Sequence, residues 1–300
     1  MDNTRRDFVK KITVLGVGST ALTMNTVKAN PKNILLDDRK GVLVDTTVCV
    51  GCRQCEWACK TSHHLPSADI ETYKDRNIFN NFRRPDETAY TVVNEFENKK
   101  NPLLPINVKS QCMHCDHPAC VSACIVGALQ KMENGAVVWD TNKCIGCRYC
   151  MVACPFQIPA FEFLKPINPK ICKCDFCYER QNEGKMTACA EICPVEALTF
   201  GTRLDLIKIA KNRIKRKPDN YIDHIFGEFE VGGTSWLYLS NKKFEEIGFP
   251  KVQSKTAPGV SEAIQHGIFA YFMPPIALYA LLGTLMWITK KRDEKSEEEL

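Results

Sequence analysis

The sequence predicts an α+β protein built by duplicating one short cysteine-rich unit and carrying a single C-terminal transmembrane helix. Three observations predict it. Sixteen of the 17 cysteines in 300 residues fall into four groups of four. Two stretches of chain recur at fixed offsets, and residues Gly267 to Thr289 contain no charge. The apolar share of 44% and charged share of 25% are ordinary globular values, which argues against wholesale disorder and against a polytopic membrane protein. A formal net charge of +5 is too weak to indicate a nucleic-acid partner.

The first element is not part of the fold. Thr4-Arg5-Arg6-Asp7-Phe8-Val9-Lys10 precedes an apolar run from Ile12 to Met24 and the small-residue site Val27-Lys28-Ala29. A charged region, an apolar region and a cleavage site in that order form an export signal, and the arginine pair makes it of the twin-arginine kind. Residues 1–29 are therefore expected to be a signal peptide. At the other end, a 23-residue uncharged helix at about 1.5 Å per residue spans the ~30 Å hydrocarbon layer. A kink is expected at Pro274-Pro275, and Lys290-Lys291-Arg292 places the C-terminus in the cytoplasm. The expected organisation is thus 1–29 signal, 30–201 cysteine domain, 202–262 C-terminal extension, 263–289 membrane helix and 290–300 cytoplasmic tail.

The cysteine spacing names the ligand. Cys49, Cys52, Cys55 and Cys59 follow C-x2-C-x2-C-x3-C, as do Cys144, Cys147, Cys150 and Cys154, which Pro155 follows. Cys112, Cys115, Cys120 and Cys124 form another group, and Cys174, Cys177, Cys189 and Cys193 the last, leaving Cys172 over. A C-x2-C-x2-C-x3-C-P run is the bacterial-ferredoxin signature of a [4Fe–4S] cubane, whose fourth cysteine serves a neighbouring cluster. Four motifs therefore imply four clusters in two pairs. Zinc is one rival, but its sites use separated pairs of ligands rather than close triplets. Disulfides are another, and the odd cysteine count and repeated triplets argue against them.

Internal repetition supports duplication. Val42-Leu43-Val44-Asp45-Thr46 and Cys49-Val50-Gly51-Cys52-Arg53 align with Val137-Val138-Trp139-Asp140-Thr141 and Cys144-Ile145-Gly146-Cys147-Arg148. Cys124-Ile125-Val126-Gly127-Ala128-Leu129 likewise aligns with Cys193-Pro194-Val195-Glu196-Ala197-Leu198. The unit reads as strand, cysteine loop, helix, second cysteine loop, strand, with a turn at Asn134-Gly135. So many ligands leave little room for a conventional apolar core, so the cluster-free domain is expected to be unfolded.

With Gln111-Cys112-Met113-His114-Cys115 and Lys173-Cys174-Asp175-Phe176-Cys177, these motifs resemble the iron–sulfur (beta) electron-transfer subunits of periplasmic respiratory oxidoreductases. His224 to Thr234, including Gly232-Gly233, and Leu237-Tyr238-Leu239-Ser240 narrow the likeness to the membrane-anchored subunit of hydrogenase-2 type [NiFe] hydrogenases. The resemblance implies a duplicated ferredoxin-like domain with nested ligation. One cluster would use Cys49, Cys52, Cys55 and Cys193, and its neighbour Cys174, Cys177, Cys189 and Cys59. A third would use Cys112, Cys115, Cys120 and Cys154, and the fourth Cys144, Cys147, Cys150 and Cys124. Ile125 departs from the family, where a proline often follows the cysteine. The resemblance also implies electron transfer between a catalytic subunit, first a hydrogenase, and an integral-membrane quinone-reactive subunit, with the clusters on the periplasmic side of the inner membrane. The alternatives are the same role in a molybdopterin enzyme of formate dehydrogenase, polysulfide or dimethyl-sulfoxide reductase type, or in a multihaem cytochrome complex. The chain carries no haem motif, nickel site or nucleophile elbow of its own.

The remaining signals are weaker. His114 and His117 lie inside the second motif, where a histidine can tune a cluster by donating to sulfide or can simply fill space. His63 and His64 have no partner that the sequence names. His266 opens the membrane helix. Cys172, one residue away from Cys174, reads as a packed thiol. Leu204, Ile207, Ala210 and Ile214 predict a helix ending before Pro218. Its opposite side carries Lys208, Lys211, Arg213, Lys215, Arg216 and Lys217, a face read as solvated by default.

Overall fold

The structure is a computed structural model that describes residues 39–98, 104–258 and 275–291. The predicted signal, residues 1–29, and His266 lie outside the described residues. Strand β1 (Lys40–Asp45) is at the centre of a three-stranded sheet. It pairs antiparallel with β8 (Leu198–Thr202), Val44 opposite Leu198, and parallel with β9 (Trp236–Leu239), Val42 opposite Trp236. Alternate residues of a strand face opposite sides. Val42, Val44, Trp236 and Tyr238 pack into one core with Phe176, Phe226 and Phe244, whereas Leu43, Leu237 and Leu239 pack against a helix. All four residues of β9 are fully buried. This apolar core is larger than the cysteine count suggests, because the segment after Gly201 is woven into the sheet instead of standing beside it.

That helix (α6, Arg203–Arg216) starts at Thr202, whose hydroxyl accepts from the Asp205 N–H at 3.4 Å. Its inward stripe is Arg203, Leu206, Ile207 and Ala210. Leu206 takes the core position that spacing alone assigns to Leu204. Arg203 sets this rotation: it donates to the carbonyls of Thr234 at 2.7 Å, Gly227 at 3.0 Å and Glu228 at 2.9 Å. The basic side is partly neutralised from within, since Lys208 pairs with Asp205, Lys211 with Glu228 and Arg213 with Asp45.

The cysteine units occupy the rest. Helix α1 (Gln54–Ser62) follows β1 after the first cysteine loop, and β2 (Thr91–Phe96) and β3 (Ile106–Gln111) form an antiparallel pair beside it. Helix α2 (Ala119–Ser122) leads to the hairpin of β4 (Leu129–Lys131) and β5 (Val137–Trp139), then to α3 (Tyr149–Ala153). The short pair β6 (Ala160–Phe161) and β7 (Ile171–Cys172) precedes α4 (Tyr178–Asn182) and α5 (Ala188–Glu191). Helix and strand are mixed, as an α+β ferredoxin-like arrangement requires. Residues 275–291 are helical, with Leu278, Tyr279, Met286 and Trp287 exposed. Among the described residues no helix is long and apolar enough to cross a membrane, and the predicted span begins before the described segment.

Candidate functional site

The two repeats share a backbone. Gly51 and Gly146 both have φ of +69°, and Arg53 and Arg148, one residue before their helices, both have φ of 60°. A left-handed turn between the first two cysteines and another before the third curl each loop so that three sulfurs face one point. The strand pairing supplies the fourth. β1 leads into the Cys49 loop and β8 leaves the Cys193 loop, so their antiparallel pairing sets Cys193 beside Cys49. The Asp45 N–H donates to the Ala197 carbonyl at 2.9 Å. The second unit repeats this through β4 and β5, with Asp140 N–H donating to the Ala128 carbonyl at 2.8 Å. The turn after Cys124 forms without proline: Gly127 N–H donates to the Cys124 carbonyl at 3.1 Å, as Glu196 does to Cys193 at 3.2 Å.

Sulfur positions follow. Cys49, Cys52, Cys55 and Cys193 line one enclosed cavity with Val44, Val93, Lys109 and Leu198. Cys174 lies in the field of Cys59 and Cys177, and Cys177 in that of Cys189 and Cys59. Cys115 is surrounded by Cys112, Cys154 and Cys120, and Cys150 by Cys147, Cys144 and Cys124. Cys59 and Cys154 sit four residues beyond Cys55 and Cys150, one helical turn on, and so turn to a different group from their own loop.

The groups also abut one another in a fixed order. Cys55 of the first group packs into the same core as Cys189 of the second and lies in its field. Cys174 of the second packs with Cys112, Cys154, Ile158 and Phe156 of the third region. Cys120 of the third packs with Cys150 and Cys124 of the fourth. Burial changes along this line: all four cysteines of the second group are buried, and Cys147 of the fourth is exposed.

The donor set fits an iron–sulfur cage. Burial pushes the Cys49 thiol up to about 11, with Cys193 and Cys52 adding to it, and pushes Cys120 to about 12 and Cys150 to about 11. Groups of thiols this buried are stable as thiolates only against a bound cation or cluster. All seventeen cysteines are free, which leaves no disulfide framework. A single zinc ion with sulfurs at about 2.3 Å would bring them within about 4.6 Å of each other. Among the described residues the only such close trio of metal-ligating groups is His63, Asp175 and Cys177, within 4.8 Å. The sulfur groups are too open for one ion and suit something larger.

His63 acquires partners that sequence spacing could not name. Its Nε2 lies 2.7 Å from Asp175 Oδ1, and its Nδ1 is 2.8 Å from the Cys59 carbonyl and 3.8 Å from Cys59 Sγ. Burial alone would favour the neutral ring, but Asp175 and Cys59 overcome it and push His63 up to about 11. His114 is fully buried, its Nδ1 accepts from the Val137 N–H at 2.8 Å, and its ring stacks 4.9 Å from Phe176, the equivalent position of the last motif. Burial, reinforced by Lys173, Lys131 and Lys109, holds its pKa well below the usual histidine range, and its Nε2 has no hydrogen-bond partner among the described residues. His64 and His117 are exposed, and Cys172 is buried in β7 as a packed thiol.

Three residues near the sulfurs escaped the sequence reading. Glu56, fully buried beside Cys55, accepts from Val93 N–H at 2.6 Å and is clasped by Arg53 and Arg83. Lys109 lies in a strand whose alternation, Asn107-Val108-Lys109-Ser110, reads as an exposed polar face, yet it is buried. Asp175, within the Cys174–Cys177 motif, showed only its position.

The 4Fe-4S dicluster domain model matches residues 106–203. A protein of Nitratidesulfovibrio vulgaris is 42% identical over 294 residues, covering 97% of this chain and 78% of its own. The hydrogenase-2 operon protein HybA of Escherichia coli O157:H7 is 32% identical, with 96% of each chain covered. The iron–sulfur subunit of the nitrate-inducible formate dehydrogenase of Escherichia coli K12 is 31% identical over 66% of each chain.

Proposed function

The chain belongs to the family of 4Fe–4S dicluster electron-transfer subunits that includes HybA and the formate dehydrogenase iron–sulfur subunits, and on that premise we propose that it holds four [4Fe–4S] clusters and relays electrons within a respiratory complex. Like its relatives it is an electron-transfer component and not a catalyst by itself. The reading is carried by one observation: the four cysteine groups follow one another through shared packing, the first with the second, the second with the third and the third with the fourth.

The ligand sets we propose are Cys49, Cys52, Cys55 and Cys193; Cys174, Cys177, Cys189 and Cys59; Cys112, Cys115, Cys120 and Cys154; and Cys144, Cys147, Cys150 and Cys124. Bound clusters supply one-electron redox chemistry. The protein's own part is to hold the sulfurs as thiolates, keep water from the inner groups and fix the order of the sites. Exposed Cys147, with Ile125, Ile145 and Val152 exposed around it, leaves one end of the line open to a partner.

The proposed partners are a periplasmic catalytic subunit, first a [NiFe] hydrogenase, and a membrane quinone-reactive subunit. A twin-arginine signal at 1–29 and an anchor at 263–289 would put the clusters on the periplasmic side of the inner membrane. The whole-length likeness to HybA favours the hydrogenase, and the formate dehydrogenase likeness keeps a molybdopterin enzyme as the second reading. Protein purified without air should be brown and contain about sixteen iron and sixteen sulfide per chain. A colourless protein containing zinc would overturn the assignment. The proteins that co-purify in detergent then distinguish hydrogenase from molybdopterin partner.

A further inference from the structure

Lys109 is 2% exposed and sits in β3 opposite Val93. Its ammonium donates to Gln111 Oε1 at 2.8 Å and lies 4.2 Å from the centre of the Trp236 ring. Gln111 is itself held, because its amide donates to Tyr238 Oη at 2.6 Å and the Tyr238 hydroxyl donates to the Lys109 carbonyl at 2.9 Å. This closed set of bonds leaves the ammonium one position. None of the ion pairs among the described residues involves Lys109. A buried cation with one neutral acceptor and an aromatic face is costly unless anionic groups surround it.

Those groups are cysteines of two different sites. Lys109 lines the cavity of Cys49, Cys52, Cys55 and Cys193. It also lies in the field of Cys189 and Cys174 of the second group, and these sulfurs, with Cys55 and the Tyr238 hydroxyl, outweigh the effect of burial on it. Two other lysines of this region, half-buried Lys131 and buried Lys173, differ. Lys131 donates to the carbonyls of His114 and Gly135, and Lys173 to those of Val137 and Cys174, so each is satisfied by two backbone acceptors.

We propose that Lys109 is a positioning residue for electron transfer, a fixed buried cation shared by the first and second cysteine groups that makes both of their clusters easier to reduce. This rests on the four-cluster reading above. A reduced cluster carries one more negative charge than an oxidised one, so a fixed positive charge stabilises the reduced form more. Because the charge is shared, it raises both sites together and keeps an electron from being trapped on either.

The test is a redox titration of the full-length, anaerobically purified protein, followed by electron paramagnetic resonance, in wild type, Lys109→Met, Lys109→Gln and Lys109→Arg. Iron and sulfide are counted in each sample. In the Met and Gln variants two of the four clusters should show a reduced-to-oxidised ratio at least tenfold lower at a given potential, a 59 mV shift for a one-electron couple. Lys109→Arg should keep both near wild type. No shift, a shift of one cluster, or an equal shift of all four would overturn the proposal. If Met and Gln variants do not load iron but Arg does, the charge is required to seat the pair, which supports it. If Arg also fails to load, the residue is packing and the proposal falls. A wild type without iron and sulfide would instead refute the four-cluster reading, so the two failures are told apart.

Discussion

Gly51 and Gly146 occupy equivalent turns at the same φ of +69° but in different surroundings, which makes them a matched pair. Alanine at either position must adopt a left-handed backbone, at a cost of roughly 1–2 kcal/mol. At Gly146 a Cβ would meet only the Phe161 ring at 3.6–3.7 Å, an ordinary contact. At Gly51 it would lie 2.3 Å from Asn107 Oδ1 and 2.7 Å from Asn107 Cγ. Asn107 is buried, and its amide donates to the Cys49 carbonyl at 3.1 Å, so it cannot swing away without releasing the first cysteine loop. Losing that bond adds about 0.5–1.5 kcal/mol, with repacking on top. Gly51→Ala should therefore cost about 2–4 kcal/mol and Gly146→Ala about 1–2 kcal/mol. With roughly 2–4 °C per kcal/mol for a domain of this size, the gap between them is several degrees. The assay is anaerobic thermal bleaching of the visible chromophore at one scan rate, because loss of clusters is irreversible. Adding Asn107→Ala to Gly51→Ala should recover part of the loss. Equal midpoints, or a larger effect at Gly146, would refute the reasoning.

Three further outcomes follow from buried groups. Glu56→Gln leaves Arg53 and Arg83 without their shared carboxylate, so it should destabilise the protein by about 3–5 kcal/mol, read by the same bleaching assay. Arg203→Leu strips the donors from the Thr234, Gly227 and Glu228 carbonyls and should cost about 3 kcal/mol, with faster proteolysis of the Gly232-Gly233 segment as a second readout. In place of the fully unfolded cluster-free domain that the cysteine count suggests, removing iron with acid and chelator should open the cysteine loops while β1, β8, β9 and α6 retain slow amide exchange, because their core is mainly aliphatic and aromatic. Uniform loss of protection across the whole chain would contradict that last expectation.

Local features of the chain were largely readable in advance. The repeat at Cys49 and Cys144 returns as matching φ values at Gly51 and Gly146 and at Arg53 and Arg148. The Asn134-Gly135 turn joins β4 and β5, with Gly135 at φ +94°. Ile207, Ala210 and Ile214 of α6 face the core as their spacing predicts, but Leu206 replaces Leu204 there, because hydrophobic spacing near the helix start cannot distinguish the two until Arg203 is anchored. The basic side of that helix looked solvated throughout, yet Asp45 and Glu228, distant in sequence, neutralise part of it. Glu56 and Lys109 could not have been singled out, since charged residues in a short helix and an alternating strand ordinarily face water.

Sulfur spacing and turn-forming residues act over a few residues, so the chain alone specified four cysteine clusters, their loops and their duplication. Contacts across fifty residues or more depend instead on strand register and packing. Those decided that β9 lies beside β1 and that His63 meets Asp175. They also placed the ammonium of Lys109 between two groups of sulfurs. A side chain's charge is written in the sequence, but its energetic effect depends on which neighbours replace water around it, and only the folded chain determines those neighbours.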